Sequence, residues 1–238
     1  MANFVLFLLG TILTVYSGTG TFQETVVKKH IKEALGEDVK VEVKIQHDKN
    51  KKTSLILILK NWETDFMTVE DIKIYIPDVK GWHQKDVNKK KLPRIRFEVR
   101  MDEEATTDAL IYSNPGVQIQ AANITVKGIE VEGMVDFGIG YPVPFTVFGV
   151  PEIEEKTILT LNPKHVSLLK GRMPRVISSS LSGIVTQILD LEDVDIDYYI
   201  AEPMEKKVRV NFMPILKKCE TGKHFMMISG YYDISVPD

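Results

Sequence analysis

The chain has 238 residues and a formal net charge of −3. Hydrophobic residues make up 44 % and charged residues 26 % of it, proportions that support a packed core and exclude a wholly disordered chain. A nucleic-acid-binding domain normally carries a basic excess, so the slightly acidic balance argues against a nucleic-acid partner.

The N-terminal residues predict an export signal. The run from Phe4 to Tyr16 is uncharged and about 13 residues long, or ~20 Å as a helix, which is short for a membrane core of ~30 Å. Small residues follow it, as at a signal cleavage site. We therefore predict a signal peptide over 1–20, a single domain over 21–238, and a location in the periplasm or cell envelope. A retained membrane anchor and a buried element of the fold are the alternatives.

The next segment begins with a helix and continues as strands. A capping box and apolar residues at helical spacing predict a helix over Thr21–Leu35. The apolar period then changes to two, which predicts strands at Val39–Gln46, Leu55–Leu59 and Val69–Ile76. The polar cluster Asp48–Lys52 reads as a hairpin turn between the first two strands. The second strand is apolar on both faces.

The middle of the chain is also rich in predicted strands. Gly81–Pro93 is polar and lysine-rich, so it reads as a connection. Ile95–Val99 alternates as a strand, and Asp102–Tyr112 is a candidate short helix. Val117–Val131 reads as a long strand with a bulge at Gly128.

A second helix and three strands complete the predicted order. Glycines 133, 138 and 140 and prolines 142 and 144 precede further strands and are expected to let them bend. A broad apolar stripe predicts the helix Pro174–Leu189. The closing strands are Val194–Ala201, Lys206–Leu216 and His224–Val236. Helices are too few for alternating βαβ units, so we predict an α+β fold with an antiparallel sheet and two amphipathic helices against one face.

The sequence contains no recognisable catalytic, metal or cofactor motif. Ser167 and Lys170 match a Ser-x-x-Lys pattern, but its companion motifs are missing or out of order, and Ser167 lies in a predicted strand. The five histidines lack metal-ligand spacing. The single cysteine, Cys219, excludes an internal disulfide, and it is either a small strand residue or a reactive thiol. The acidic run Asp190–Asp197 reads as a solvated turn or as a cation site.

Two surfaces carry the functional hypotheses. The surplus of apolar positions predicts a cavity between the sheet and the helices that holds an acyl chain. Its predicted lining residues are Leu57, Ile74, Phe97, Phe145, Val147, Ile177, Leu181, Ile184 and Ile188. The basic connection predicts contact with an anionic membrane surface through Lys89, Lys90, Lys91 and Arg94, with a solvated loop as the alternative. An envelope protein with a filled core and no ligand, and a hydrolase, are the competing hypotheses.

The order of elements resembles a bacterial envelope family, that of the mycobacterial lipomannan elongation maintenance protein, within the tubular lipid-binding (BPI-like) superfamily. The matching features are the leader, the helix Thr21–Leu35 running into a strand, the block Val126–Gly133, the strand Lys156–Leu161 and the helix Pro174–Leu189 before the closing strands. The resemblance implies a long curved antiparallel sheet rolled around the helices, with a groove for lipid binding or transfer. Phospholipase activity is ascribed to one family member, but no catalytic residue carries over, so an enzymatic role stays open.

Overall fold

A computed structural model describes residues 23–36, 39–47, 52–63, 67–78, 94–136, 142–168, 171–172, 187–191, 194–200 and 206–235. The predicted signal peptide, the lysine-rich connection 81–93 and residues 174–186 of the predicted second helix lie outside these ranges.

In the described part of the chain, the larger of two antiparallel sheets consists of β1 Lys40–His47, β2 Thr53–Glu63, β3 Thr68–Ile76, β4 Ile95–Asp102, β11 Val194–Ile200, β12 Lys206–Thr221 and β13 Phe225–Ser235. These seven strands lie in the order β1-β2-β3-β4-β13-β12-β11. The predicted pairing of β1 with β2, the strands β3 and β4, and the three closing strands are confirmed, whereas residues 48–51 of the predicted turn lie outside the described residues.

Among the described residues, the smaller sheet consists of β5 Gln118–Thr125, β6 Gly128–Val135, β7 Val143–Glu154, β8 Ile158–Leu168, β9 Gly171–Arg172 and β10 Gln187–Asp190. These six strands lie in the order β10-β8-β7-β6-β5, with β9 paired to β8. Backbone hydrogen bonds join the two sheets, from Leu216 N–H to the Lys156 carbonyl at 2.7 Å and from His224 N–H to the Ile124 carbonyl at 3.0 Å. The antiparallel, strand-rich α+β prediction is confirmed, but the strands form two sheets where one was predicted.

Two helices lie in the described part of the chain. Helix α1, Glu24–Leu35, confirms the first predicted helix, and it packs Val27 and Ile31 against the apolar face of β1. Helix α2, Glu103–Ser113, confirms the short helix; the Asp102 side chain caps it by accepting a hydrogen bond from Ala105 N–H at 2.8 Å. Because α2 contacts β3 and β4 as well as β5 and β10, it bridges the two sheets.

Strand alternation turns the apolar faces of both sheets toward one contiguous core. The Leu55, Leu57 and Leu59 side chains are fully buried, whereas Ile56 and Ile58 lie half-buried on the opposite face. Among the residues whose side chains are described, which excludes those of 194–200 and 206–210, the fully buried polar residues are Thr53, Thr106, Asn114 and Thr160. None of these is charged, although one carboxylate oxygen of the half-buried Asp71 is also shielded from solvent.

The predicted bulge at Gly128 is wrong. Val126 and Lys127 form a two-residue turn between β5 and β6, and Gly128 opens β6 with a φ of 149°. A Cβ at Gly128 would collide with the Gly149 carbonyl oxygen. The turn was missed because the apolar residues on both sides of it keep nearly the same spacing as in a continuous strand.

The prediction of helix for the C-terminal end of the segment Pro174–Leu189 is also wrong. Gln187–Asp190 forms strand β10, paired with Ile158–Thr160 of β8. The Asn114 amide donates a 2.8 Å hydrogen bond to the Gln187 carbonyl, and the Ser113 hydroxyl donates one of 3.2 Å to the Ile188 carbonyl. A short apolar run fits either a helix or a strand, and here these non-local hydrogen bonds favour the strand.

Candidate functional site

The predicted lipid-binding residues that the structure describes all lie in the common core. Leu57, Ile74, Phe97, Phe145, Val147 and Ile188 are each at most 4 % exposed. Leu57, Ile74 and Phe97 are direct cross-strand neighbours on β2, β3 and β4, so they form one apolar row on the large sheet. Phe145 and Val147 occupy the inner face of β7 in the small sheet. Ile177, Leu181 and Ile184 lie outside the described residues.

Both phenylalanines cover a glycine on the neighbouring strand. Phe97 is paired with Gly230 and Phe145 with Gly133. In each pair the ring Cζ lies 2.7 Å from the position that a Cβ of the glycine would occupy. The missing side chain therefore makes room for the ring, a role for Gly133 that differs from the predicted strand bending.

The described part of the core offers few polar groups to a ligand. The Asn114 amide is used by hydrogen bonds to the Leu110 carbonyl at 2.7 Å and to the Gln187 carbonyl. The buried Thr106 hydroxyl has no hydrogen-bond partner. A ligand between these sheets would therefore be recognised mainly through apolar contact.

Among the described residues, no catalytic arrangement forms around Ser167. It lies in β8, as predicted, where it pairs with Thr146 and Arg172. Lys170 lies outside the described residues, and within them no histidine or carboxylate is hydrogen-bonded to Ser167. The described residues also contain no group of three or more metal-ligating side chains.

The described residues contain one carboxylate–histidine ion pair, and it connects structural elements. Glu103 Oε1 accepts a 2.8 Å hydrogen bond from Ile124 N–H and lies 3.1 Å from His224 Nδ1. Burial raises the pKa of Glu103, but these hydrogen bonds and the His224 charge outweigh it, and the net shift is downward. The carboxylate thereby joins α2 to β5 and to the β12–β13 turn.

Cys219 has the environment of a structural residue. It lies half-buried in β12, packed against the core. Burial, followed by the negative charge of Glu220, raises the pKa of the thiol to about 12. The thiolate needed for nucleophilic chemistry is therefore scarce at neutral pH, which favours the interpretation as a small strand residue.

Of the predicted membrane-contact residues, the structure describes Arg94 alone. Its Nε lies 3.3 Å from Asp233 Oδ1, and its guanidinium lies 4.4 Å from the centroid of the Tyr231 ring. Strand alternation places Arg96 and Arg100 on the same outer face of the large sheet. Lys89, Lys90 and Lys91 lie outside the described residues.

The outer face of the large sheet carries a groove that the sequence did not reveal. Its volume is about 400 Å³, and its polar and aromatic lining includes Lys73, Tyr75, Arg96, Glu98, Lys217 and Tyr231. These side chains come from the consecutive strands β3 and β4 and from β12 and β13, which follow much later in the sequence. The one sequence signal for this face was the alternation in β4, whose polar residues were expected to face away from the core.

In the part of the chain that the structure describes, neither helix combines the length and the apolarity needed to cross a bilayer. No protein-family model, no curated protein and no solved structure matches this chain.

Proposed function

We propose that this protein is exported to the cell envelope and binds the acyl chain of a lipid between its two sheets. The observation that carries the proposal is the interior itself, where two long aliphatic sheet faces meet without a fully buried charged residue among those whose side chains are described. The predicted leader and the antiparallel, strand-rich fold support the same function.

The energetics favour an acyl chain over a polar ligand. Each buried CH₂ contributes about 0.8 kcal/mol, so a chain of about 16 carbons gains on the order of 10 kcal/mol before ordering and desolvation costs reduce it. A polar headgroup would find few partners among the described core residues, and we place it outside the core.

The test uses the full mature protein, purified without detergent and analysed by native mass spectrometry for bound lipid. Uptake of a fluorescent fatty acid is then compared between the wild type and Val147→Phe, which adds volume at the inner face of β7. If Val147 lines the acyl-chain site, we expect uptake to fall at least tenfold while the melting temperature changes little. Thr146→Phe, one residue away on the outer face, is the matched control and should bind normally.

A protein with a filled core and no ligand is the second candidate. It is favoured by the near-complete burial of Leu57, Ile74 and Val147 in one continuous cluster. In a filled core, Val147→Phe would cost about 1–3 kcal/mol through overpacking. Wild-type protein that carries no lipid and takes up no fatty acid, with a destabilised Val147→Phe variant, would establish this second function and reject the first.

A further inference from the structure

The outer face of the large sheet carries an ordered row of aromatic and basic side chains. Tyr75 on β3 is directly opposite Arg96 on β4, and Arg96 is directly opposite Tyr231 on β13. A register shift in β12 between Leu216 and Lys218 brings Lys217 to the same groove. Strand pairing therefore places two cations and two tyrosine rings side by side.

The aromatic rings hold both cations in place. The Arg96 guanidinium lies 4.3 Å from the centroid of the Tyr75 ring, and that tyrosine is fixed by a 3.2 Å hydrogen bond from its hydroxyl to Ser54 Oγ. Lys217 Nζ lies 5.3 Å from the centroid of the Tyr231 ring. A cation stacked on a ring keeps its charge and its free N–H donors.

Arg96 and Lys217 differ from Lys73, Arg94 and Arg100 of the same face in having no carboxylate partner. Ion pairs join Lys73 to Glu98 at 3.5 Å, Arg94 to Asp233 at 3.3 Å and Arg100 to Glu70 at 2.8 Å, so a carboxylate neutralises each of these three charges. Among the described residues, no carboxylate forms an ion pair with Arg96 or Lys217. The groove thus contains two positive charges that an anionic ligand could neutralise.

We propose that this groove binds the phosphate of an anionic phospholipid headgroup at a membrane surface. A guanidinium matches a phosphate with two parallel hydrogen bonds, and an ammonium adds a point charge. The tyrosine rings supply an apolar surface for the glycerol carbons of the headgroup. The inference rests on the proposed lipid-binding function, but it concerns the outer face of the sheet, whereas the acyl-chain site lies on its inner side.

The test measures binding of the full mature protein to phosphatidylglycerol-containing vesicles and to pure phosphatidylcholine vesicles. We expect the double variant Arg96→Gln/Lys217→Gln to bind the anionic vesicles roughly 30-fold more weakly, because each basic group near such a surface contributes about a fivefold factor. Lys217→Arg, which keeps the charge, should retain binding. The control Lys29→Gln/Lys44→Gln removes the same charge from two exposed lysines paired with Glu33 and Glu42.

The outcomes separate this proposal from the acyl-chain proposal. Arg96→Gln/Lys217→Gln should take up fatty acid normally, and Val147→Phe should still bind anionic vesicles. The groove proposal is overturned if the groove variant binds vesicles like the wild type, or if the control loses as much affinity, since net charge alone would then explain binding. Equally tight binding of soluble glycerol 3-phosphate would also overturn it, because the groove would then recognise a free phosphate ester.

Discussion

At the scale of single residues, the surroundings of a side chain determine its pKa and hence its reactivity, which the residue type alone does not. The sequence allowed Cys219 to be either reactive or inert. Its position in β12, half-buried against the core, raises the pKa of the thiol to about 12. For the Glu103 carboxylate, burial also raises the pKa, but the hydrogen bonds and the His224 charge together lower it by more, so the net shift is downward.

We predict that Cys219 resists alkylation in the folded protein. At pH 8, the raised pKa should slow the reaction with iodoacetamide at least roughly 100-fold relative to a free cysteine, since only the thiolate reacts. Intact-mass measurement over time would follow the reaction, and urea-unfolded protein is the control that should react fast. Rapid modification of the folded protein would identify a reactive thiol instead.

At the scale of elements, two phenylalanine–glycine pairs set the packing of the sheets. The Phe97 ring occupies the space over Gly230, and the Phe145 ring that over Gly133. The sequence predicted both phenylalanines as inward-facing, but it could not predict these partners. The pairs form between β4 and β13 and between β6 and β7, and the first of them joins strands at distant places in the chain.

We predict that Gly230→Ala destabilises the fold by about 1–3 kcal/mol, the usual cost of overpacking. An added Cβ would meet Phe97 Cζ at 2.7 Å and collide with the Ile215 carbonyl oxygen, which the rigid sheet cannot move away. Urea unfolding would measure the change. Gly116→Ala is the control, because nothing lies within 4 Å of its added Cβ, and it should stay within about 0.5 kcal/mol. Equal stability of the two variants would contradict this packing.

At the scale of the whole molecule, the two sheets meet along one side and helix α2 bridges them. The junction consists of the contacts of β12 with β7 and of β13 with β5, together with the backbone hydrogen bonds of Leu216 and His224. This arrangement turns both apolar faces toward a common interior and leaves the basic, aromatic groove on the opposite side of the large sheet. The acyl-chain site that we propose and the phosphate site that we propose therefore lie on opposite sides of the large sheet.

We predict that the leader is removed on export. N-terminal sequencing of the protein extracted from the envelope should begin near Gly18 or Thr21, because the short uncharged run Phe4–Tyr16 is followed by small residues. Cell fractionation provides the control for location. Intact Met1 in a soluble cytoplasmic fraction would contradict the prediction.

The sequence by itself determined the local elements wherever one face of an element is buried. Alternation in β1 and β4 and the helical spacing of α1 follow from local geometry, so residues close in the chain reveal them. Tertiary structure alone decided the division into two sheets, the strand character of Gln187–Asp190 and the groove around Arg96 and Lys217. Each depends on strand pairing between distant segments, because the hydrogen bonds and charge neighbours that decide it come from residues that no local pattern brings together.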